Sequence, residues 1–194
     1  MAKINHINFR DVQALNGLRV CGYATREDLL KIITSNRIDK MLKQGLIESK
    51  TNIKNETVYT YTDKGKSFIK NLDSLKGKAF YSRQTASTDH DTRLFREYTQ
   101  LTPNERMSCM SETQTRDLYA ETIKQDQATA ELEKMLSVPD IVYTTETGET
   151  VAIEAITENY NEILTEMKVS YCQIINAELK MVRVWKRKKY NKTY

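Results

Sequence analysis

A nearly continuous apolar run, Val151 to Ile156, is the feature that most restricts the fold of this 194-residue chain. Strands with so few polar residues are typical of sheets whose two faces are both covered. Only Glu154 interrupts the run. A carboxylate in such a strand is costly to desolvate unless it binds a cation, is protonated or meets a basic partner. The run therefore predicts a covered sheet with an acid at its centre.

A second strand is predicted just before this run, from Val138 to Tyr143, with a tight turn at residues 146–149 between the two. A hairpin of these strands places Asp140 on one strand and Glu154 on the next. The pattern therefore predicts two carboxylates on neighbouring strands of one sheet.

A long helix that covers the sheet is predicted next, because apolar residues recur there at helical spacing. These residues are Tyr160, Ile163, Leu164, Met167, Tyr171, Ile174 and Ile175. Lys168 lies at the margin of this stripe, about 60° from its centre when each residue turns the helix by ~100°. A last strand is predicted from Leu179 to Trp185, where it leads into a basic tail.

Three short helices are predicted at the N-terminal end of the chain: one from Asp11 to Arg19, one capped by Thr25, and one that starts at Thr34 and Ser35. The third helix exposes polar and basic side chains, namely Ser35, Asn36, Arg37, Lys40 and Lys43. Two short helices joined by a tight turn, the second one basic, suit the major groove of DNA. The alternative is an ordinary helical pair.

A β-hairpin is predicted after these helices, with strands at residues 46–50 and 57–61 and with Lys50 and Lys54 on it. A closing helix around Phe68 follows. The run "GLI" before the hairpin and "YTYTDKGKSF" after it resemble the winged helix-turn-helix family over roughly residues 10–75. The resemblance implies contact with double-stranded DNA, although some winged helices bind protein instead.

The middle of the chain is predicted to begin with a helix from Ser87 to Leu101. Glu97 lies on its otherwise apolar face, where it is either part of an ion pair or a carboxylate presented to a site. A short strand is predicted over residues 106–110. Ser111 and Gln114 then form the pattern of a capping box, which opens one or two helices that extend to about residue 136.

The stretch "PDIVYTTETGETVAIEAIT" resembles the PD-(D/E)xK nuclease superfamily, in which two acids on adjacent strands hold a divalent metal and a lysine assists the attacking water. Asp140 and Glu154 match the two acids. Ile156 stands where the superfamily has its lysine, and Lys168 is the candidate to supply that group from the following helix. Glu97 would match the acid of the first core helix. The resemblance implies Mg²⁺ held by Asp140 and Glu154 if the site is active, and no cofactor if it is vestigial.

A winged helix followed by "HDTRLFREY", "PD" and "IEAITENYNEILTEMKVSY" resembles the replication-relaxation family of plasmid and mobile-element proteins. The resemblance implies an α+β chain with a winged helix at residues 1–76, a linker at 77–86, a small α/β nuclease-like domain at 87–185 and a basic tail at 186–194. It also implies a sequence-specific DNA-binding protein that acts in replication, relaxation or mobilisation, with an inactive nuclease-like domain as scaffold. Candidate partners besides DNA are a second copy of the chain, a relaxase and a replication protein.

Charge is unevenly distributed along the chain. Residues 1–76 carry a balance of +6, residues 77–179 one of −9 and residues 180–194 one of +7. Basic ends around an acidic middle are typical of chains whose ends contact polyanions, while the alternative for the tail is that its lysines solvate a surface. Three widely spaced cysteines favour reduced packing residues over a disulfide frame or a zinc site.

Several function classes lack their signatures in this sequence. No apolar run approaches the ~20 residues of a membrane span, and no signal-peptide pattern is present, so we expect a cytoplasmic protein without membrane contact. Walker, GxSxG and HExxH motifs are also missing. Two alternatives to the scaffold hypothesis stay open: a metal-dependent DNA endonuclease and a transcriptional repressor of its own element. Whether the chain is an enzyme is therefore left undecided.

Overall fold

A computed structural model describes residues 7–82, 88–123, 136–157 and 160–184. Helices and two β-sheets make up this part of the chain, so the prediction of an α+β fold is confirmed. Several predicted features fall outside the described residues: Trp185 and the basic tail, residues 83–86 of the linker, Ser87, and the helix predicted over residues 124–135.

The first segment (residues 7–76) contains α1 (Phe9–Cys21), β1 (Ala24–Thr25), α2 (Arg26–Leu30), α3 (Ser35–Lys43), β2 (Ile47–Thr51), β3 (Thr57–Tyr61) and α4 (Asp63–Lys70). Its three strands form an antiparallel sheet in the order β1-β3-β2. Thr25 caps α2 as predicted, since its hydroxyl oxygen accepts a hydrogen bond from the amide of Asp28, whereas Thr34 at the start of α3 forms no side-chain cap. The predicted three helices, hairpin and closing helix are all present.

A glycine fixes how α4 meets the hairpin. A Cβ atom on Gly65 would lie only 1.8 Å from the carbonyl oxygen of Leu46, the residue just before β2. Thr62 caps the same helix and donates its hydroxyl to the carbonyl of Gly45 at 2.5 Å. The contact holds the end of α3 and the start of β2 against α4.

The second segment (residues 88–184) contains α5 (Thr88–Gln100), α6 (Pro103–Ser108), β4 (Met110–Ser111), α7 (Glu112–Ile123), β5 (Ile141–Thr144), β6 (Thr150–Ile156), α8 (Glu162–Ile174) and β7 (Ala177–Arg183). The strand order is β4-β5-β6-β7. The first three strands are antiparallel, whereas β7 runs parallel to β6 after the crossover through α8. Residues 151–155 of β6 are all buried, as the apolar run predicts.

The strand predicted over residues 106–110 is wrong, because most of this stretch is the helix α6. Thr102 and Glu105 form a capping box, and Pro103 occupies the first turn, where its missing N–H costs nothing. The chain becomes extended only at β4. Half of the capping box predicted at Ser111 and Gln114 is confirmed: the Ser111 hydroxyl oxygen accepts a hydrogen bond from the Gln114 amide at 3.2 Å, while the Gln114 side-chain oxygen accepts from Arg19.

The strand predicted from Val138 begins later, at Ile141. Pro139 lacks an amide proton for the ladder and restricts the residue before it, so pairing starts two residues beyond it. Asp140 therefore precedes the strand instead of lying on it. The pairing of Ile141 with Ile153 nevertheless brings Asp140 beside Glu154 across the two strands.

The face that α8 buries agrees only in part with the predicted apolar stripe, whose members Leu164, Met167 and Ile175 are half-buried. Ile163 is 66% exposed and Ile174 is 45% exposed, while Lys168, Tyr171 and Cys172 are buried. The helix also starts after Tyr160, at a cap formed by residue 161. Lys168 turns toward the sheet because a buried carboxylate faces it there, as described below.

One buried apolar cluster runs through both segments, from α1 and α3 to β5, β6 and α5. The helix α1 lies at its centre, with residues 13–21 all buried. Its approach to α5 depends on Gly17, where a Cβ atom would lie 2.7 Å from ring carbons of both Phe95 and Tyr98. The cysteines at positions 21, 109 and 172 are buried and unbridged. In the described ranges, no helix has the length and apolar character needed to cross a bilayer.

Candidate functional site

Asp140 and Glu154 are connected to each other through the backbone of their neighbouring segments. The amide of Asp140 donates a hydrogen bond to Glu154 Oε2 at 3.1 Å. The amide of Ala155 donates to Asp140 Oδ2 at 2.8 Å. Both side chains are buried. The two carboxylates are therefore held in place by the start of β5 and the centre of β6.

Lys168 reaches this pair from α8. Its Nζ atom lies 2.9 Å from Glu154 Oε2 and also donates to the carbonyl oxygen of Val138. Tyr160, which precedes α8, donates its hydroxyl to Glu154 Oε1 at 3.0 Å. The structure thus brings together Asp140, Glu154 and Lys168, the three residues that the nuclease resemblance singled out.

His90 joins the cluster from the first turn of α5. Its Nε2 lies 3.1 Å from Asp140 Oδ2, and its Nδ1 lies 3.1 Å from Asp91 Oδ1. The hydroxyl of Tyr81 approaches the same Asp91 oxygen at 3.3 Å. Asp91 Oδ2 is buried without a hydrogen-bond partner among the described residues. We call His90, Asp91, Asp140, Glu154 and Lys168 the acid cluster.

The acid cluster changes the pKa values of its members in opposite directions. Burial lowers the pKa of His90, but hydrogen bonds to Asp140 and Asp91 outweigh it and raise the pKa to about 10. Burial raises the pKa of Asp91 to about 6. Burial also acts to raise the pKa of Asp140, yet the hydrogen bond from His90 and the charges nearby lower it overall. The pKa of Glu154 is raised by burial and by the negative charge of Asp140.

The contacts within the acid cluster are ion pairs. His90 is protonated at neutral pH and points both ring nitrogens at carboxylates, so it has no free nitrogen with which to accept a proton. Lys168 is likewise committed to Glu154 and to a backbone carbonyl. The arrangement joins α5, β5, β6 and α8.

The acid cluster does not fit a divalent metal ion while Lys168 occupies it. Three of the four carboxylate oxygens of Asp140 and Glu154 already accept hydrogen bonds from the protein. The ammonium group of Lys168 lies against Glu154, in the place where a cation would bind. Within the described ranges, no three His, Cys, Asp or Glu side chains are grouped so that they could hold a metal ion.

Glu97 lies apart from these contacts. Its carboxylate pairs with Arg93 at 2.7 Å and with Lys180 of β7 at 3.0 Å. Of the two interpretations that the sequence left open for Glu97, the ion pair is the one that the structure contains.

The residues predicted to contact DNA divide into two groups. Ser35, Asn36, Lys40 and Lys43 are exposed on α3. Ser35 accepts a hydrogen bond from Arg26 at 2.7 Å, which joins the start of α3 to α2. Asn36, Lys40 and Lys43 follow one another at four and three residues, so they share one side of the helix. We call these three residues the α3 face.

The other residues predicted to contact DNA form ion pairs within the protein. Arg37 binds the buried Asp11 of α1 with its Nε 2.9 Å from Oδ1 and a second nitrogen on Oδ2. This forked ion pair directs the guanidinium toward α1, which the helical pattern alone does not indicate. Lys50 lies 2.9 Å from Glu48 on the hairpin, and Lys54 pairs with Asp89 of α5. Both lysine pairs are partly exposed.

A second buried charge escaped the sequence analysis. Arg19 of α1 is fully buried and donates to Asn16 Oδ1 at 2.8 Å, to Gln114 Oε1 at 3.0 Å, and to the carbonyl oxygens of Cys109 at 2.8 Å and Ala79. We call these five residues the Arg19 cluster. Burial lowers the pKa of Arg19 to about 10, so it remains charged at neutral pH. The sequence signal that could have found it is an arginine directly flanked by Leu18 and Val20 near the end of α1.

The roles of His90, Asp91 and Tyr160 were also missed. The pair His90-Asp91 at the start of a helix was visible, but nothing in the sequence shows that Asp140 lies beside it. Tyr160 was assigned to an apolar stripe, while the structure uses its hydroxyl.

Comparison of the chain with protein-family models, with curated proteins and with solved structures finds no match. The functional argument therefore depends on the geometry of the acid cluster and of the α3 face.

Proposed function

We propose that the chain binds double-stranded DNA through the α3 face. The observation that carries this proposal is an exposed helix whose Asn36, Lys40 and Lys43 lie on one side, shortly after the short helix α2. Asparagine can pair with the edge of adenine in the major groove, and lysines bind guanine edges or phosphates. The polar chemistry of this face matches what duplex DNA presents.

The arrangement around α3 supports a winged helix-turn-helix interpretation. The order α1-β1-α2-α3-β2-β3-α4, with the sheet order β1-β3-β2, places a hairpin next to the exposed helix. In this arrangement the second helix of the pair enters the major groove and the hairpin lies along the backbone. The ion pair between Arg37 and Asp11 then has a positioning role, because it fixes α3 against α1.

We propose further that the second segment serves as a scaffold for this DNA-binding surface. Its acid cluster is neutralised from within, and α5 and α6 pack against α1. The resemblance to replication-relaxation proteins supports a role in replication, relaxation or mobilisation of a plasmid or mobile element. A DNA-binding scaffold of this kind would act beside a second protein that performs the chemistry.

The test is a binding measurement on duplexes selected from a random library, followed by fluorescence anisotropy at several salt concentrations. Lys40→Ala combined with Lys43→Ala should lower affinity at least about tenfold and reduce the slope of log affinity against log salt by about 2, since each phosphate contact contributes ~0.9. Asn36→Ala should weaken binding to the selected site by about 1–3 kcal/mol and relax the preference at one base pair.

The matched control removes two exposed lysines from elsewhere in the first segment, Lys70→Ala with Lys76→Ala, and should leave affinity within about twofold. Equal losses in the control and in the α3 variant would show attraction by net charge alone and contradict a specific face. Failure to select any duplex would refute DNA binding. Nicking of supercoiled plasmid with Mg²⁺ or Mn²⁺, abolished by Asp140→Ala, would favour the endonuclease alternative over the scaffold.

A further inference from the structure

The atoms that the Lys168 ammonium group contacts are oxygens. It contacts Glu154 Oε2 at 2.9 Å and the carbonyl oxygen of Val138, and the carboxylate of Asp140 adds a second negative charge nearby. Carboxylate and carbonyl oxygens are the ligands that Mg²⁺, Mn²⁺ and Ca²⁺ prefer. Its immediate neighbours are therefore the groups that would otherwise bind a hard cation.

The same place is closed to a second cation while the lysine is present. Lys168 is buried, its side chain being 9% exposed, and that of Glu154 is 4% exposed. Two like charges in such a small, desolvated volume would repel each other strongly. His90 does not compete for this place, because it neutralises Asp140 from the side of α5.

We propose that the acid cluster is a cation site whose resident cation is the ammonium group of Lys168. The lysine and a divalent ion are then mutually exclusive occupants. The wild-type chain folds and functions without divalent metal, and loss of the ammonium group converts the same oxygens into a site for a hard divalent ion.

The decisive experiment measures Mn²⁺ binding to chelator-treated protein by electron paramagnetic resonance of the free ion. Lys168→Ala removes the charge and leaves space, so it should bind one Mn²⁺ per chain at least about tenfold more tightly than the wild type at concentrations up to about 1 mM. Lys168→Met removes the charge but fills much of the space, and should bind far less Mn²⁺. Adding Glu154→Gln to Lys168→Ala should abolish binding.

Lys180→Ala is the matched control, because it removes a lysine that pairs with Glu97 at the surface instead of with Glu154. It should not increase Mn²⁺ binding. A folded Lys168→Ala chain that binds Mn²⁺ no better than the wild type would overturn the proposal. Wild-type protein that binds one Mn²⁺ per chain, with loss of binding in Glu154→Gln, would overturn it as well.

A stability measurement covers the case in which Lys168→Ala does not fold in metal-free buffer. The far-ultraviolet circular dichroism signal should then recover as Mn²⁺ is added, whereas it should not recover in the variant that also carries Glu154→Gln. A Lys168→Ala chain that stays unfolded throughout the titration contradicts the proposal. None of these readouts involves DNA, so their outcome is independent of the proposed DNA binding.

Discussion

Arg19 and Lys168 are both buried cations, and the protein stabilises them in different ways. The Arg19 cluster surrounds its guanidinium with neutral acceptors: two side-chain amide oxygens and two backbone carbonyls. No carboxylate pairs with Arg19 in the part of the chain that the structure describes. The acid cluster instead pairs Lys168 and His90 with carboxylates from other elements.

This difference indicates which of the two buried cations should stabilise the fold to an extent that changes with pH. Neutral acceptors do not titrate, so the Arg19 cluster should hold over the whole range in which arginine is charged. The acid cluster depends on the protonation states of several groups at once, and its contribution should change with pH. A comparison of substitutions in the two clusters tests this distinction.

The largest effect is expected for Arg19→Met. The substitution leaves the buried oxygens of Asn16 and Cys109 and the half-buried amide oxygen of Gln114 without this donor, whereas the Ala79 carbonyl keeps the Ser111 hydroxyl. Each unsatisfied buried group costs about 1–3 kcal/mol, so we expect a loss of about 3–5 kcal/mol in the free energy of unfolding after partial relaxation. Urea unfolding followed by circular dichroism measures this loss. The loss should be similar at about pH 6 and at about pH 8, since none of the four acceptors titrates.

Arg116→Met is the control, because Arg116 is also an arginine on a helix, but its side chain is 58% exposed and pairs with Glu112. Its effect should stay within about 0.5 kcal/mol. If Arg19→Met costs less than about 1 kcal/mol, the Arg19 cluster does not stabilise the fold in the way the hydrogen bonds suggest.

A smaller effect, visible as a dependence on pH, is expected from His90. Its pKa is about 10 in the folded chain, against an ordinary value of 6.5. The protonated form is thus favoured by folding, so its contribution is fully present below pH 6.5 and is lost as the pH rises toward 10. The raised pKa values of Asp91 and Glu154 also lower the stability of the fold as the pH rises, but they do so at lower pH than His90. The lowered pKa of Asp140 has the opposite effect, and only at acidic pH.

The measurement compares the free energy of unfolding of wild type and His90→Asn from about pH 6.5 to about pH 7.5, a window that lies below the ordinary thiol pKa of about 8.5. The wild type should lose stability across this window and the variant should lose much less. Parallel curves for the two proteins would show that His90 is not held protonated by Asp91 and Asp140. Arg19→Met should retain the wild-type slope, because its cluster lacks a carboxylate.

The smallest effect is expected for Asp89→Asn, which removes the partly exposed ion pair with Lys54. Solvent and salt screen such pairs, so the change should be below about 1 kcal/mol, including any effect of the acid at the start of α5. The same urea titration provides the value. A loss above about 2 kcal/mol would mean that this partly exposed pair contributes as much as a buried one, which would contradict the expected difference between exposed and buried charges.

The sequence was sufficient for elements with a strong local pattern. The helix at α1, the hairpin of β2 and β3 and the buried strand β6 all follow from periodicity and turn residues. It was also sufficient for the convergence of Asp140, Glu154 and Lys168, which the nuclease resemblance supplied. These features are encoded by neighbours in the chain or by a known arrangement.

The missing features depend on contacts between distant residues. The ion pair of Arg37 with Asp11 joins residues 26 positions apart, and the contact of His90 with Asp140 joins residues 50 positions apart. The prediction for α8 was wrong at Ile163 and Ile174 for the same reason, since the helix turns Lys168 toward the buried Glu154 instead. Periodicity alone does not show which side chain a buried charge will meet.

The burial of α1 on every side has a consequence for how this protein can change over generations. Gln13, Asn16 and Arg19 form hydrogen bonds with residues 79 to 114, while Asp11 pairs with Arg37 of α3. A chain that received a foreign first segment by recombination would bring an α1 whose donors and acceptors do not match its new surroundings. For the proposed DNA-binding surface, point substitutions on α3 are therefore a more accessible route to new targets than exchange of the whole first segment.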